Sequence, residues 1–417
     1  LCSLQPMTEP TTPTAKSSTI NRKWWQVLGP GIITAALVFG PGSLTVTSKL
    51  GAQFGYQLWW VVLVAIGFMV VFTEMGARLG MASPVSSLAI IQQRWGKIAA
   101  RLIGLGIFCI TASFQAGNTV GAGLAFAELF GTAIEPWIIF FSLLAMGLLF
   151  FRSFYRVLEK IMIGLVGLMI VSFLITLLLA QPQWDALFRG LIPGVPAGAE
   201  VLTIALIASS FSVVGAFYQS YLVKEKGWSK QDSNSGRRES IAGVLILGLI
   251  SSFILINAAT VLYPQRIPVN SAADMGLALE PLYGNTATII FMLGLFGASF
   301  SSLLGNATIG GALLSDAFFG SYQLSDAKVR RVILLVILIG AAIALKFGRL
   351  PLELIIFAQA ITILIAPIIA IALLLVAKDA ELMGSLKNSR WQTLVAFLCI
   401  GVLFFLAITH FRMQFIS

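Results

Sequence analysis

Gly40-Pro41-Gly42-Ser43 lies in the middle of one apolar stretch, and Ser209-Ser210-Phe211-Ser212-Val213-Val214-Gly215 in the middle of another. Proline removes a backbone donor and clashes with the preceding turn, and glycine tolerates unusual dihedrals, so a helix is predicted to break at the first run. The second run, with three hydroxyls and one glycine, is a weaker breaker. A broken helix presents a new N-terminus whose N–H groups carry partial positive charge. With Ser43, Ser209 and Ser212 beside such ends, the chemistry on offer is the holding of a small polar or charged species by neutral donors.

No covalent chemistry competes with that reading. The chain has no Gly-x-x-x-x-Gly-Lys-Ser/Thr phosphate loop, no His-Glu-x-x-His and no Gly-x-Ser-x-Gly, and no general base beside the serines. An ATP-driven pump and a membrane enzyme are therefore disfavoured, and no catalytic residue, cofactor or resident metal is expected. Cys109 and Cys399 lie in apolar runs and Cys2 in a polar tail, so neither a disulfide framework nor a metal-ligand spacing is available. The single histidine, His410, falls at the far end of the last apolar stretch and reads as interfacial. Glu74 precedes Arg78 by four positions, the spacing of a local ion pair on one helix face.

The elements that must position these residues are membrane helices. Of the 417 residues 58% are hydrophobic and only 11% charged, where soluble domains carry roughly 25% charge; the mean hydropathy is +0.93. Apolar stretches of a length to cross a bilayer lie near 27–48, 56–77, 102–127, 136–151, 157–180, 201–223, 240–262, 286–314, 330–346, 351–377 and 392–411. The expected fold class is thus all-α integral membrane with about eleven transmembrane helices. Residues 1–23 read as a disordered cytoplasmic tail. The net charge of +10 comes from Lys and Arg scattered through short connections, with no aromatic-interleaved patch, so no nucleic acid partner is expected. Of the 27 basic residues, 21 fall in alternate connections on one side, which places the N-terminus in the cytoplasm and, after eleven crossings, the C-terminus outside.

The two breaks fall in the first and sixth stretches, corresponding members of two five-helix halves, residues 24–180 and 181–378, with residues 379–417 forming a loop and an eleventh helix. Inverted-repeat transporters place their discontinuous helices and their substrate at such positions. The expected partners are the lipid bilayer and a small ion or solute; the oligomeric state is left open.

Gly40 to Trp60, and within it Gly51-Ala52-Gln53-Phe54-Gly55-Tyr56, resembles the first-helix signature of the Nramp family, in which Asp-Pro-Gly-Asn precedes a Gly-Ala-Gln-Phe-Gly-Tyr segment. Gly294 to Ser302 resembles the family's eighth helix, and Ala358 to Pro367 with Leu382-Met383-Gly384 resembles its tenth helix and following loop. The resemblance spans nearly the whole chain. It implies a LeuT-type fold, alternating access and transport of divalent transition metals, often with protons. It also exposes departures: Gly40 and Ser43 stand where the family has a metal-binding Asp and Asn. Ser212, Val213 and Val214 replace a Met-Pro-His run, and a carbonyl ligand falls on Ser209. Gln219 stands in place of a histidine linked to proton movement, and Gln115 and Asn118 in place of an acidic pair of the proton path, whereas Gln359 is retained.

A transition metal needs carboxylate, imidazole or sulfur ligands to offset dehydration, and the expected site of Gly40, Pro41, Gly42, Ser43, Ser209, Ser212, Val213, Val214, Gly215 and Gln359 supplies none, nor does the polar path of Gln115, Asn118 and Gln219. The sequence reading is therefore a secondary transporter of a small ion or solute, with hydrated magnesium, a small anion and a neutral polar solute as alternatives, and with a solute sensor or a membrane enzyme behind them.

Overall fold

The computed structural model describes residues 29–151, 153–270, 272–347 and 352–415, with the side chains of residues 209, 272, 352–357 and 413–415 outside the description. The tail expected over residues 1–23 lies outside it as well. Among the described residues there is no strand, and the regular structure is helical throughout.

The first apolar stretch forms two helices, α1 (Pro30–Val38) and α2 (Pro41–Phe54), bent by 63°. Pro41 starts α2 where its missing N–H costs nothing, and it pushes the preceding residue out of helical conformation, so Gly40 is extended (φ −108°, ψ −177°). Next come α3 (Trp59–Ala82), α4 (Ser87–Phe130), α5 (Glu135–Leu148) and α6 (Phe154–Ala180). α4 is two helices joined at Gly96, whose φ of 85° no other residue type adopts readily.

The sixth stretch is likewise interrupted, into α7 (Glu200–Ser210) and α8 (Val213–Glu225). No proline makes this break. The Ser212 hydroxyl accepts from the Gly215 N–H at 3.1 Å and so caps α8. Phe211, displaced by the interruption, is fixed edge-on against Phe68 and Phe72 of α3, with ring centroids 5.8 and 5.3 Å apart. α9 (Ser233–Val261), α10 (Asn285–Phe319), α11 (Ala327–Phe347), α12 (Leu352–Ala377) and α13 (Arg390–Phe415) complete the order.

Among the described residues eight helices are long and apolar enough to cross a membrane, nine with the α1–α2 pair, and the expected fourth span is a shorter apolar helix of 14 residues, Glu135–Leu148. Small residues let the helices approach closely, as expected where lipid supplies no hydrophobic drive for association. Gly104 of α4 abuts Ala317 of α10, and Gly121 of α4 lies against Ser299 of α10 and Pro41 of α2. This seam of α4 with α10, the most extensive in the molecule, forms a wall behind the α1–α2 break.

The Glu74–Arg78 pair is present, 3.2 Å apart with both side chains buried. Arg78 also donates to the Leu386 carbonyl and to Asn388, each at 2.9 Å, and Glu74 accepts from Gln392 at 3.1 Å and pairs with Arg237 at 3.2 Å. The cluster ties α3 to α9 and to the segment leading into α13, a fastening rather than a pathway.

Candidate functional site

The two interruptions face a common cavity of about 40 Å3, room for a few water-sized bodies at roughly 10–15 Å3 each. Leu37, Val38, Gly40, Gly42 and Ser43 line it from α1 and α2, and Ala208, Ser212 and Val214 from α7 and α8. α4 contributes Ile110, Phe114 and Asn118, α10 contributes Asn306 and Ile309, and α12 contributes Thr362. Among the described residues its polar side chains are two amides and three hydroxyls, and none of them is ionisable.

Backbone geometry supplies the rest of the polarity. Gly40 gives α2 no side-chain cap, so the first N–H groups of α2 stay open beside Gly42 and Ser43. On the α1 side, the Ala36 carbonyl accepts from the hydroxyls of Ser301 and Ser302 at 2.8 and 3.3 Å, so α10 satisfies an acceptor that the break releases. Asn118, 2% exposed, leaves its Nδ2 donor without a partner. A buried donor of that kind costs about 1–3 kcal/mol unless something accepts from it, and here it stands at the cavity wall. The site can hold a small species by N–H, amide and hydroxyl contacts. Among the described residues its lining offers no thiolate, imidazole or carboxylate of the kind a dehydrated transition metal takes, and no group of three or more His, Cys, Asp or Glu could hold one.

The sequence-predicted residues divide by place. Gly40, Gly42, Ser43, Asn118, Ser212 and Val214 meet at the cavity. Pro41, Val213 and Gly215 form the helix starts behind it. The Ser209 side chain lies outside the described residues. Gln115 turns away, donating to the Leu303 carbonyl at 3.0 Å as a link from α4 to α10. Gln219 accepts from the Thr34 hydroxyl at 2.5 Å and donates to Ser240 at 2.9 Å, joining α1, α8 and α9. Gln359 lines a second, smaller cavity with Ala205, Ile363 and His410, and neither end of its amide has a partner. His410, expected at the interface, is only 8% exposed. Ala208 lies on both cavities and separates them.

Three polar residues escaped the sequence reading. Asn306 was readable as a lone amide in a long apolar span, and Thr362 follows Gln359 by one helical turn. Glu239 hides in a charged run, Arg237-Arg238-Glu239-Ser240, that reads as loop, yet its side chain is buried.

Residues 31–411 match the natural resistance-associated macrophage protein-like (Nramp) family. Among curated relatives, the divalent metal cation transporter MntH of Chromohalobacter salexigens is 27% identical over 383 residues, 89% of this chain and 87% of that protein. The structure of the manganese transporter of Eremococcus coleocola superposes with a TM-score of 0.78 at 19% identity, over 94% of this chain and 88% of that one. MhsT in complex with L-phenylalanine aligns with a TM-score of 0.57 at 18% identity, over 90% of this chain and 98% of that one. The shared architecture is the LeuT type, with its interrupted first and sixth helices, and the relatives are transporters rather than enzymes. The chain belongs to the Nramp family of multi-pass membrane transporters.

Proposed function

We infer that this protein is an alternating-access secondary transporter with eleven crossings, built from repeats at residues 24–180 and 181–378, with a cytoplasmic N-terminus, and that its cargo binds between the α1–α2 and α7–α8 interruptions. The relatives' cargo class, divalent cations, fits the cavity in one form: a hard cation of the magnesium type that keeps part of its water. Magnesium dehydrates reluctantly and is commonly held through water by oxygen groups, whereas manganese or iron at a site of neutral donors would lack compensation for dehydration. The observation that carries this reading is the cavity wall itself, whose polar side chains among the described residues are Ser43, Asn118, Ser212, Asn306 and Thr362, none of them acidic.

A second reading rests on the paired starts of α2 and α8 at the same cavity. Two helix N-termini favour a small anion or a neutral polar solute over a bare dication.

Uptake into proteoliposomes decides between them. Saturable magnesium flux that a tenfold excess of manganese leaves unaltered supports the first reading. Tight, saturable manganese uptake overturns it, and flux of an inorganic anion with neither metal transfers the assignment to the second. Binding of a solute without accumulation would make the protein a sensor.

A further inference from the structure

The start of α1 is held by a carboxylate from α9. Oε1 of Glu239 accepts from the backbone N–H groups of Gly29 and Gly31, both at 2.7 Å. Oε2 has no hydrogen-bond partner, although the residue is 2% exposed. One oxygen thus serves two donors that a helix leaves open at its start, while the other is cut off from water without a hydrogen-bond partner of its own, the nearest cation being Lys226. Burying an ionised oxygen in that way is far more costly than burying a neutral one. A proton on Oε2 exchanges the cost of a buried charge for the smaller one of an unpaired hydroxyl and leaves Oε1 free to accept both N–H groups.

Other contacts make this end of α1 a fitted seat. Gly31 and Gly243 meet backbone to backbone, and a Cβ on Gly31 would lie 2.5 Å from the Glu239 carbonyl. One turn on, Thr34 hydrogen-bonds Gln219, which in turn bonds Ser240. Beside Gly29 runs the Lys226–Glu159 ion pair. Among the described residues, the titratable groups that face Glu239 are Lys226 at the end of α8 and Glu159 and Tyr155 of α6, the hydroxyl of Tyr155 also lacking a partner. From α10, the contacts on α1 are Ser301, Ser302 and Gly305, none of which titrates. At its far end α1 meets α2 only through the extended residues Phe39 and Gly40 and the 63° bend. A nine-residue helix fixed at one end by a seat and at the other by a two-residue joint can move as a body.

We propose that Glu239 is the proton-binding residue that couples proton release to opening on the α1 side: it carries a proton while α1 is seated on α9, and it gives the proton up as α1 lifts and water reaches Oε2. This rests on the alternating-access reading above. No covalent bond forms or breaks except the O–H bond of the carboxyl, and the proton passes to water on the side that opens.

The test is a cysteine reporter, Ser43→Cys, in a chain with Cys2, Cys109 and Cys399 replaced by alanine, reconstituted in liposomes. A membrane-impermeant maleimide is added on the side of the α1 N-terminus. Labelling, divided at each pH by the rate at which the same maleimide modifies a free thiol, is expected to accelerate at least tenfold as the pH rises through neutrality. Glu239→Gln, which keeps an acceptor oxygen but never ionises, is expected to label slowly at every pH. An unchanged pH response in Glu239→Gln overturns the proposal, as does a flat response in the Glu239 background. Should Glu239→Gln not fold, hydrogen–deuterium exchange of α1 relative to α2 in the unaltered protein carries the test. Exchange in α1 must rise with pH beyond the intrinsic chemical rate, and parallel behaviour of the two helices overturns the proposal. Because labelling needs no substrate, absence of uptake for every solute would sink the transport reading and leave this result to stand or fall separately.

Discussion

Gly40 and Asn118 compete for the same space: a Cβ added at position 40 would lie 2.8 Å from Asn118 Oδ1, and 3.0 Å from the hydroxyl of Ser302. The amide sits where a side chain on the α1–α2 joint would otherwise project. A chain that has glycine here can bring Asn118 against the joint, and the cavity takes its neutral character from that approach.

Gly40→Asp places a carboxylate at the joint and obliges Asn118 to rotate away. Manganese affinity is expected to rise at least tenfold, about 1.4 kcal/mol, measured by titration calorimetry. No gain over the unaltered chain would mean that position 40 does not address the cargo.

Asn306→Leu and Thr362→Val remove polar groups from the cavity wall, whereas Gln115→Leu removes a link between α4 and α10. The first two are expected to reduce uptake at least tenfold with little change in unfolding temperature. Gln115→Leu deletes a side-chain hydrogen bond to the Leu303 carbonyl, which keeps its helical partner, and is expected to cost about 1 kcal/mol of stability. Uptake and thermal unfolding recorded on the same preparations separate the two classes.

Glu74→Ala leaves the buried Arg78 guanidinium without its nearest anion. Breaking a buried pair from one side costs about 3–5 kcal/mol, so a large fall in unfolding temperature is expected. Glu74→Gln, which can still accept from Gln392, should fall less. Equal losses would show that charge is irrelevant to the cluster.

Orientation can be read from single cysteines. Asp232→Cys, before α9, is expected to be labelled from the cytoplasm, and Gln183→Cys, in the connection after α6, from outside. The reverse result would invert the topology drawn from the distribution of basic residues.

Much of this architecture was legible in the residues themselves. Gly40-Pro41-Gly42 announces its break by chemistry that no tertiary contact has to supply, and Ser212 announces the second, since a serine before a short apolar helix is a natural cap. What could not be read was direction. Gln115, Asn118 and Gln219 all sit on interior helix faces, but only the rotation of α4 and α8 within the bundle decides that Asn118 meets the cavity while Gln115 meets Leu303 and Gln219 meets Ser240. Gln359 was taken toward the central cavity by family resemblance, and the structure turns it to the chamber of His410. Glu239 was lost in a run of charges because burial is a property of the packed bundle and leaves no mark on a neighbouring pair of arginines.

The contact of Gly31 with Gly243 has no side chain between the two backbones. A methyl added at position 243 would lie 2.1 Å from the Gly31 carbonyl, so Gly243→Ala drives a wedge between α1 and α9 where no rotamer change can make room.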